Sequence, residues 1–180
     1  MSSDPTRMCE ILVGLGDVNV LSVEEDRTSV TVTIETRAKV AGCPACGVVA
    51  SSKGRRSVSL VDCCQGLRTY VVVWLKRRWQ CLEPECPMKS WTEEDRSIAA
   101  PRLALTDRAG RWVTEQVGRF GRSVNEVAVA LGCDSQTVKA PLVGGVPVRT
   151  AGLTQAATDA FGLSYARSVV RFPSGRVDRV

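Results

Sequence analysis

The strongest β-strand signal in the chain is the stretch 67–81, LRTYVVVWLKRRWQC. It is rich in the β-branched and aromatic residues that favour strands, and it ends at Cys81. Upstream, Ser29 to Val40 alternates apolar and polar residues, which predicts a half-buried strand that leads into Cys43-Pro44-Ala45-Cys46-Gly47. Val58 and Leu60 suggest a short strand between the two. The first half of the chain is therefore predicted to be a small β-rich unit with cysteine pairs at its strand ends.

Two cysteine pairs have the spacing of a metal site. They are Cys43-x2-Cys46 and Cys81-x4-Cys86, and thiolates two to four residues apart can hold one edge of a zinc tetrahedron. Two pairs brought together by a sheet supply four protein thiolates and leave no coordination position open for water. The sequence therefore predicts one structural Zn²⁺ ion, not a catalytic one.

Other interpretations of the cysteines stay open. The pairs can be small core residues, or the first pair can be a redox couple, although it does not open a helix after a β–α turn as a thioredoxin-type site requires. The adjacent Cys63 and Cys64 are interpreted as semi-buried loop residues, with a spare-ligand role as the alternative. Cys9 and Cys133 are expected to fill apolar space.

The composition is that of a globular and mildly basic protein. Of 180 residues, 44% are hydrophobic, and 24 Lys and Arg outnumber 19 Asp and Glu to give a net charge of +5. Eight cysteines stand beside no histidine, so the commonest general base and zinc nitrogen ligand are both lacking. Because no apolar run suits a signal peptide or a membrane span, we expect a cytoplasmic protein without a membrane partner. In that reducing compartment, paired cysteines indicate metal ligands more than disulfides.

The positive charge is concentrated in one segment. From Lys53 to Arg78 there are seven basic residues and one acid, Asp62. The run Lys76-Arg77-Arg78 beside Trp79 is expected to contact DNA phosphates, with a solvated strand face as the alternative.

Pro101 marks the change from strand to helix patterning. Apolar residues recur at helical spacing between Leu103 and Phe120. A second helix is predicted to begin at Ser123, because Glu126 three residues later completes a capping box. We therefore predict an α+β protein with three parts: a β-rich zinc-binding domain over residues 1–98, a helix-turn-helix over 99–140, and an irregular or disordered tail over 141–180.

Residues 123–138 have the pattern of a helix-turn-helix. Ala128 is small where two helices must cross closely, Gly132 suits the tight turn, and Val138 anchors a third helix that begins near Ser135. An ordinary helical hairpin is the alternative. The residues of the last helix that we expect to face the base edges and phosphates of a DNA major groove are Ser135, Gln136 and Lys139.

The block of cysteine, basic and aromatic residues has a further signature: CPACG at 43–47, KRRWQC at 76–81, Cys86, and WTE at 91–93. It resembles the zinc finger of bacterial insertion-sequence transposases of the IS-L-three family. The segment Val20 to Asp26 resembles the N-terminus of that family, and residues 123–138 fall where the family places its helix-turn-helix. The resemblance covers roughly residues 8–139.

The resemblance implies that both modules recognise the terminal inverted repeats of a mobile element. Double-stranded DNA is then the expected partner, with a second copy of the chain or a full-length transposase as further candidates. In the family a ribonuclease-H-like domain with a magnesium-binding acidic triad follows. The likeness ends near Pro141, where the family has an apolar helix residue, and proline there removes a helix hydrogen bond and clashes with the preceding turn. We therefore expect a truncated or frameshifted copy without the catalytic domain.

Three functions compete for this sequence. The first is a DNA-binding fragment of a transposase without cleavage activity. The second is a small zinc-containing transcriptional regulator or transposition inhibitor. The third is an enzyme that uses the cysteine thiols. The lack of histidine and of a coherent carboxylate cluster argues against this third function. We expect no enzymatic activity and no small-molecule substrate.

Overall fold

The computed structural model describes residues 9–10, 12–37, 40–65 and 68–143, together with two short strands at 169–171 and 177–179. Strands and helices both contribute, so the predicted α+β class is confirmed. The elements in chain order are β1 (Val18–Glu25), β2 (Ser29–Thr36), β3 (Ser51–Gln65), β4 (Arg68–Gln80), β5 (Ser90–Thr92), α1 (Asp107–Gly118), α2 (Val124–Leu131), α3 (Ser135–Val143), β6 (Val169–Arg171) and β7 (Val177–Arg179).

The chain separates into two compact units, Met1–Arg108 and Ala109–Val180. The first unit contains the sheet and the cysteine pairs, and the second contains α2 and α3. The domain boundaries that the sequence predicts after residues 98 and 140 stay predictions.

The first unit is built on a five-stranded sheet in the order β1-β2-β4-β3, and β5 pairs with the end of β4. β2 and β4 run parallel, whereas β1–β2, β3–β4 and β4–β5 are antiparallel. Residues 68–80 of the stretch quoted first thus form β4, an inner strand of the sheet. β1 and β3 lie at the two edges of the sheet. In the C-terminal half of β3, the Val61 N–H donates to Ala104 O and the Val61 C=O accepts from the Thr106 amide.

The core lies on one face of this sheet. Along β2 the burial alternates, and the side chains of Val30, Val32 and Ile34 point inward as the sequence predicts. Trp74 of β4 is buried beside them, and its indole N–H donates to Thr36 Oγ1 at 3.1 Å. The buried residues that complete this core are Leu15, Val18, Leu60, Val72, Ile98 and Ala99.

In the second unit, α2 begins and ends as its sequence predicts. Ser123 caps the N-terminus: its hydroxyl accepts from the Glu126 amide at 3.2 Å, and its own amide donates to the Glu126 carboxylate at 2.8 Å. Gly132 ends the helix in the left-handed conformation, φ 69°. Residues 132–134 then form a short turn to α3, and the buried side chains of α2 and α3 include Val127, Ala128, Leu131 and Val138.

Although proline is unfavourable inside a helix, Pro141 does not end α3, which continues through it to Val143. Pro141 is buried, and its Cβ lies 3.8 Å from the position that a Cβ would take on Gly110 of α1. Packing against a glycine offsets part of what the missing amide costs. Of the predicted irregular tail, 141–180, the described residues are 141–143, which are helical, and the paired strands β6 and β7; the rest lies outside them.

Candidate metal centre

The first cysteine pair lies in a tight hairpin between β2 and β3. Its ends are joined by the Ala50 N–H, which donates to Ala41 O at 2.8 Å. Inside it, the Cys43 amide donates to Val48 O at 2.8 Å, and the Gly47 amide donates to Cys43 O at 2.9 Å. Gly47 has φ 78°, a conformation that side chains with a Cβ rarely adopt. The hairpin thus fixes the backbone on both sides of the Cys-x2-Cys turn.

The second pair is placed by the sheet. β4 ends at Gln80, so Cys81 follows directly from the central strand, and its amide donates to Lys89 O at 3.1 Å. The Cys86 amide donates to Glu83 O at 3.2 Å, which closes the loop before β5 pairs back onto β4. Two strands that are hydrogen-bonded to each other therefore hold both ends of this loop.

The structure brings all four predicted ligands together. The Sγ atoms of Cys43, Cys46, Cys81 and Cys86 lie within 4.8 Å of one another. Cys43 Sγ is 3.6 Å from Cys86 Sγ, and Cys46 Sγ is 3.5 Å from Cys81 Sγ. These separations are far longer than a disulfide bond of about 2.05 Å, so the four cysteines are free thiols that can bind a metal ion.

Burial and packing differ between the ligands. Cys43, Cys81 and Cys86 are 3–6% exposed, whereas Cys46 is exposed to solvent. Met88 and Trp91 pack against the three buried cysteines. The cluster is therefore a small core of its own, open to solvent at Cys46.

Backbone amides favour the thiolate form of Cys43. Burial raises the pKa of Cys43, but hydrogen bonds from the amides of Ala45 and Cys46 and from the Cys86 thiol outweigh it and lower the pKa to about 7. Burial raises the pKa of Cys86, and the neighbouring cysteines raise it further because they oppose another negative charge. The hydrogen bond from the Met88 amide lowers it only in part, and the resulting pKa is about 12. Four thiols so close together favour a bound cation, since they cannot all ionise without one.

The predicted basic run divides into exposed and buried members. Arg78 is exposed and Lys76 half-buried, with its Nζ 4.4 Å from the centre of the Trp74 ring. Arg77 is buried: its guanidinium donates to Thr36 O at 2.9 Å and Arg37 O at 3.2 Å. Arg77 is therefore a structural group that ties β4 to the end of β2. Its predicted phosphate contact does not fit this position, because phosphate binding needs an exposed guanidinium.

The predicted groove-facing residues of α3 are not equivalent either. Gln136 and Lys139 are exposed. Ser135 is half-buried, and its hydroxyl donates to Asn125 Oδ1 at 3.1 Å, which links the start of α3 to α2. Asp134 caps α3 by accepting the Thr137 amide at 2.9 Å. The exposed polar face of α3 thus keeps two of the three predicted side chains.

The remaining cysteines lie apart from the cluster. Cys63 is half-buried in β3 at a register shift between residues 62 and 65, so its assignment to a loop is wrong; the side chain of Cys64 lies outside the described part of the structure. Cys9 and Cys133 are half-buried, and burial raises the pKa of the Cys133 thiol.

Comparison with known proteins gives no match to a family model, a curated protein or a solved structure. The likeness to transposases therefore depends on the residues quoted above. In the described part of the chain, no helix is both long and apolar enough to cross a membrane.

Proposed function

We propose that this chain is a DNA-binding protein whose first unit contains one structural Zn²⁺ ion, held by Cys43, Cys46, Cys81 and Cys86. The observation that carries the metal assignment is the convergence of four Sγ atoms within 4.8 Å. Thiolates about 2.3 Å from a tetrahedral zinc ion lie about 3.8 Å from one another, which fits the 3.5 and 3.6 Å separations of the two closest pairs. Four protein ligands leave no position for a reacting water, so the role is structural.

The DNA-binding part of the proposal assigns α2 and α3 to a helix-turn-helix. Support comes from the short turn at residues 132–134 and from the contact between α2 and α3, in which Ala128 and Val138 are buried. Gln136 and Lys139 are exposed on α3, where a recognition helix carries its base and phosphate contacts. The positive charge of the chain suits a polyanion.

The nature of the DNA target is the part that the transposase likeness supplies. We propose terminal inverted repeats of a mobile element, bound without strand cleavage by this chain. A small zinc-containing transcriptional regulator or transposition inhibitor is the alternative. Duplex sequences recovered by repeated selection on the protein distinguish the two hypotheses. Inverted repeats that flank a transposase gene would support the first, and promoter sequences would support the second.

The metal assignment is tested by replacing ligands. Purified protein should contain about one zinc ion per chain by elemental analysis. Cys81→Ser should abolish that zinc, whereas the matched control Cys133→Ser, a half-buried cysteine outside the cluster, should retain it. Stoichiometric zinc in the double variant Cys43→Ser/Cys46→Ser would show the assignment to be wrong.

The recognition-helix assignment is tested by one exposed side chain. If Gln136 makes a bidentate base contact, Gln136→Ala should cost about 1–3 kcal/mol of binding free energy on the selected duplex and almost nothing on a random duplex. Fluorescence anisotropy with both duplexes measures the difference. Equal loss on the two would remove Gln136 from base recognition.

A further inference from the structure

Beyond the end of β2, β3 and β4 continue as a paired ribbon, which β5 joins from Arg78 onward. β2 pairs with β4 only as far as Ile34 and Trp74, whereas the β3–β4 pairing runs on to Ser51 and Gln80. On its other side, the end of β4 is covered only by the three-residue strand β5. Residues 51–57 therefore form a sheet edge that is exposed except at Ser51, which is half-buried.

The cations of this ribbon divide between its two faces. Arg56 pairs with Lys76 across the ladder, and Gly54 pairs with Arg78. Successive side chains of a strand alternate, so Arg56, Lys76 and Arg78 share one face, which we call the cationic face. Arg55 and Arg77 are cross-strand partners on the opposite face.

The two faces differ in how their charges are compensated. Arg55 forms an ion pair with Glu35, at 2.8 Å from Nη2 to Oε2, and Arg77 is buried on backbone carbonyls. On the cationic face, by contrast, Arg56 and Arg78 have no acid and no hydrogen-bond acceptor as partner among the described residues. The Lys76 Nζ lies over the Trp74 ring. Charge on this face is thus available to an outside anion.

Exposed acids of the sheet are concentrated at the end of β1. Glu24 and Glu25 are on β1, and Asp26 follows it. The strand order places β1 and β3 at opposite edges, so the three acids at the end of β1 lie away from Arg56 and Arg78. The acids nearer to β3 are paired with other cations: Glu35 with Arg55, and Asp62 with Arg108.

We propose that the cationic face of the β3–β4 ribbon, Arg56, Lys76 and Arg78, binds the phosphate backbone of double-stranded DNA. The inference rests on the proposed DNA-binding function and adds a contact surface on an edge strand. Cations two residues apart on one strand, such as Lys76 and Arg78, lie about 6.6 Å apart along it. Gly54 has open space where its Cβ would be, so the backbone opposite Arg78 leaves room for a phosphate.

The test compares three arginine variants of the zinc-loaded protein. Arg56→Gln/Arg78→Gln should reduce the slope of log affinity against log salt by about 1.8, because each phosphate contact contributes about 0.9. Affinity should fall by the same factor on the selected and on a random duplex, since phosphates have no sequence. Arg55→Gln, a neighbouring change of charge on the paired face, should leave the slope unchanged, and Arg56→Lys/Arg78→Lys should retain most of it.

Zinc content and the far-ultraviolet circular dichroism spectrum should match the wild type in every variant used. If the wild-type protein binds duplex and the double glutamine variant keeps its slope, the ribbon is not a DNA contact and the proposed function survives. If Arg55→Gln lowers the salt slope by the same amount, the effect comes from net charge alone and the assignment to one face is wrong. If the wild type binds no duplex, both the function and this inference are wrong.

Discussion

At the scale of single residues, Asp62 of β3 holds residues 106–108, at the start of α1, against the sheet. It is 1% exposed and accepts from Thr106 Oγ1 at 2.6 Å and from Arg108 Nε at 2.8 Å. Arg108 in turn donates to Val13 O at 2.5 Å, and its hydrogen bonds with Asp62 raise the pKa of the guanidinium. The pair of Asp62 and Arg108 thereby joins β3, the start of α1 and the backbone at Val13.

Removing that carboxylate should be costly. Asp62→Ala leaves the Arg108 guanidinium, whose side chain is 33% exposed, without its counter-ion. Loss of one partner of a buried pair costs 3–5 kcal/mol, and partial exposure places the expected loss of unfolding free energy at about 3 kcal/mol. Chemical denaturation followed by tryptophan fluorescence measures it, with the exposed Glu24→Gln as control. A change below about 1 kcal/mol would mean that the ion pair contributes little.

Residue roles could be predicted where they depend on local spacing. The four cysteines were identified because the two turns that present them are encoded by neighbouring residues. Arg77 and Arg78 look alike in the sequence, yet one is buried and one is exposed. The difference comes from Thr36 O, an acceptor that only the fold brings to Arg77. The ion pair between Arg55 and Glu35 could not be predicted either, because only the fold brings these two residues together.

At the scale of elements, the ends of α2 and α3 are held by carboxylates. Hydrogen bonds from the Ser123 amide and hydroxyl lower the pKa of Glu126, and those from the amide and hydroxyl of Thr137 lower the pKa of Asp134. A carboxyl group whose pKa is lower in the folded state stabilises the fold above its unfolded pKa, and this contribution is lost as pH falls through the folded value.

Acid should therefore weaken the second unit. The midpoint of thermal unfolding of the helical signal should be constant near neutral pH and fall below about pH 4, where unfolded carboxyl groups titrate. Asp134→Asn keeps a capping side chain but removes the titration, so part of that pH dependence should disappear. A variant with the full wild-type pH dependence would show that the α3 cap does not cause it.

A second element-scale prediction concerns α1. Gly110 lies within that helix, where glycine costs about 1 kcal/mol relative to alanine. The Cβ of an alanine would have Pro141 Cβ as its nearest neighbour, at 3.8 Å, an ordinary contact. Gly110→Ala should therefore raise the free energy of unfolding by up to about 1 kcal/mol in chemical denaturation. Destabilisation would instead indicate that α1 and α3 need closer approach at this point.

Element lengths were predicted less well than element types. The sequence indicates only a short strand near Val58 and Leu60, whereas β3 spans 15 residues from Ser51 to Gln65. Its first half, SSKGRR, has little strand propensity and is extended because β4 pairs with it. Likewise α3 continues past Pro141 because tertiary packing overrides the local cost of proline.

At the scale of the whole molecule, the fold class followed from periodicity, but the topology did not. The change from alternation to helical spacing near Pro101 corresponds to the change from strands to α1. The parallel pairing of β2 with β4 has no signature in either strand, because periodicity reports which face is buried and not which strand lies alongside. That pairing nevertheless positions both cysteine pairs, since β2 leads to Cys43 and β4 leads to Cys81.

Removal of the metal should affect the two units differently. The four ligands lie in the first unit, and the two pairs close a long loop that includes β3 and β4, so metal binding there is coupled to folding. α2 and α3 are stabilised within the second unit by their caps and apolar contacts. A strong zinc chelator should therefore abolish the β-sheet signal and the cooperative tryptophan transition, while part of the helical circular dichroism remains.

Adding zinc back under reducing conditions should restore the sheet, and adding magnesium should not, because magnesium prefers oxygen ligands. A first unit that keeps its sheet after elemental analysis shows all zinc removed would contradict the structural role.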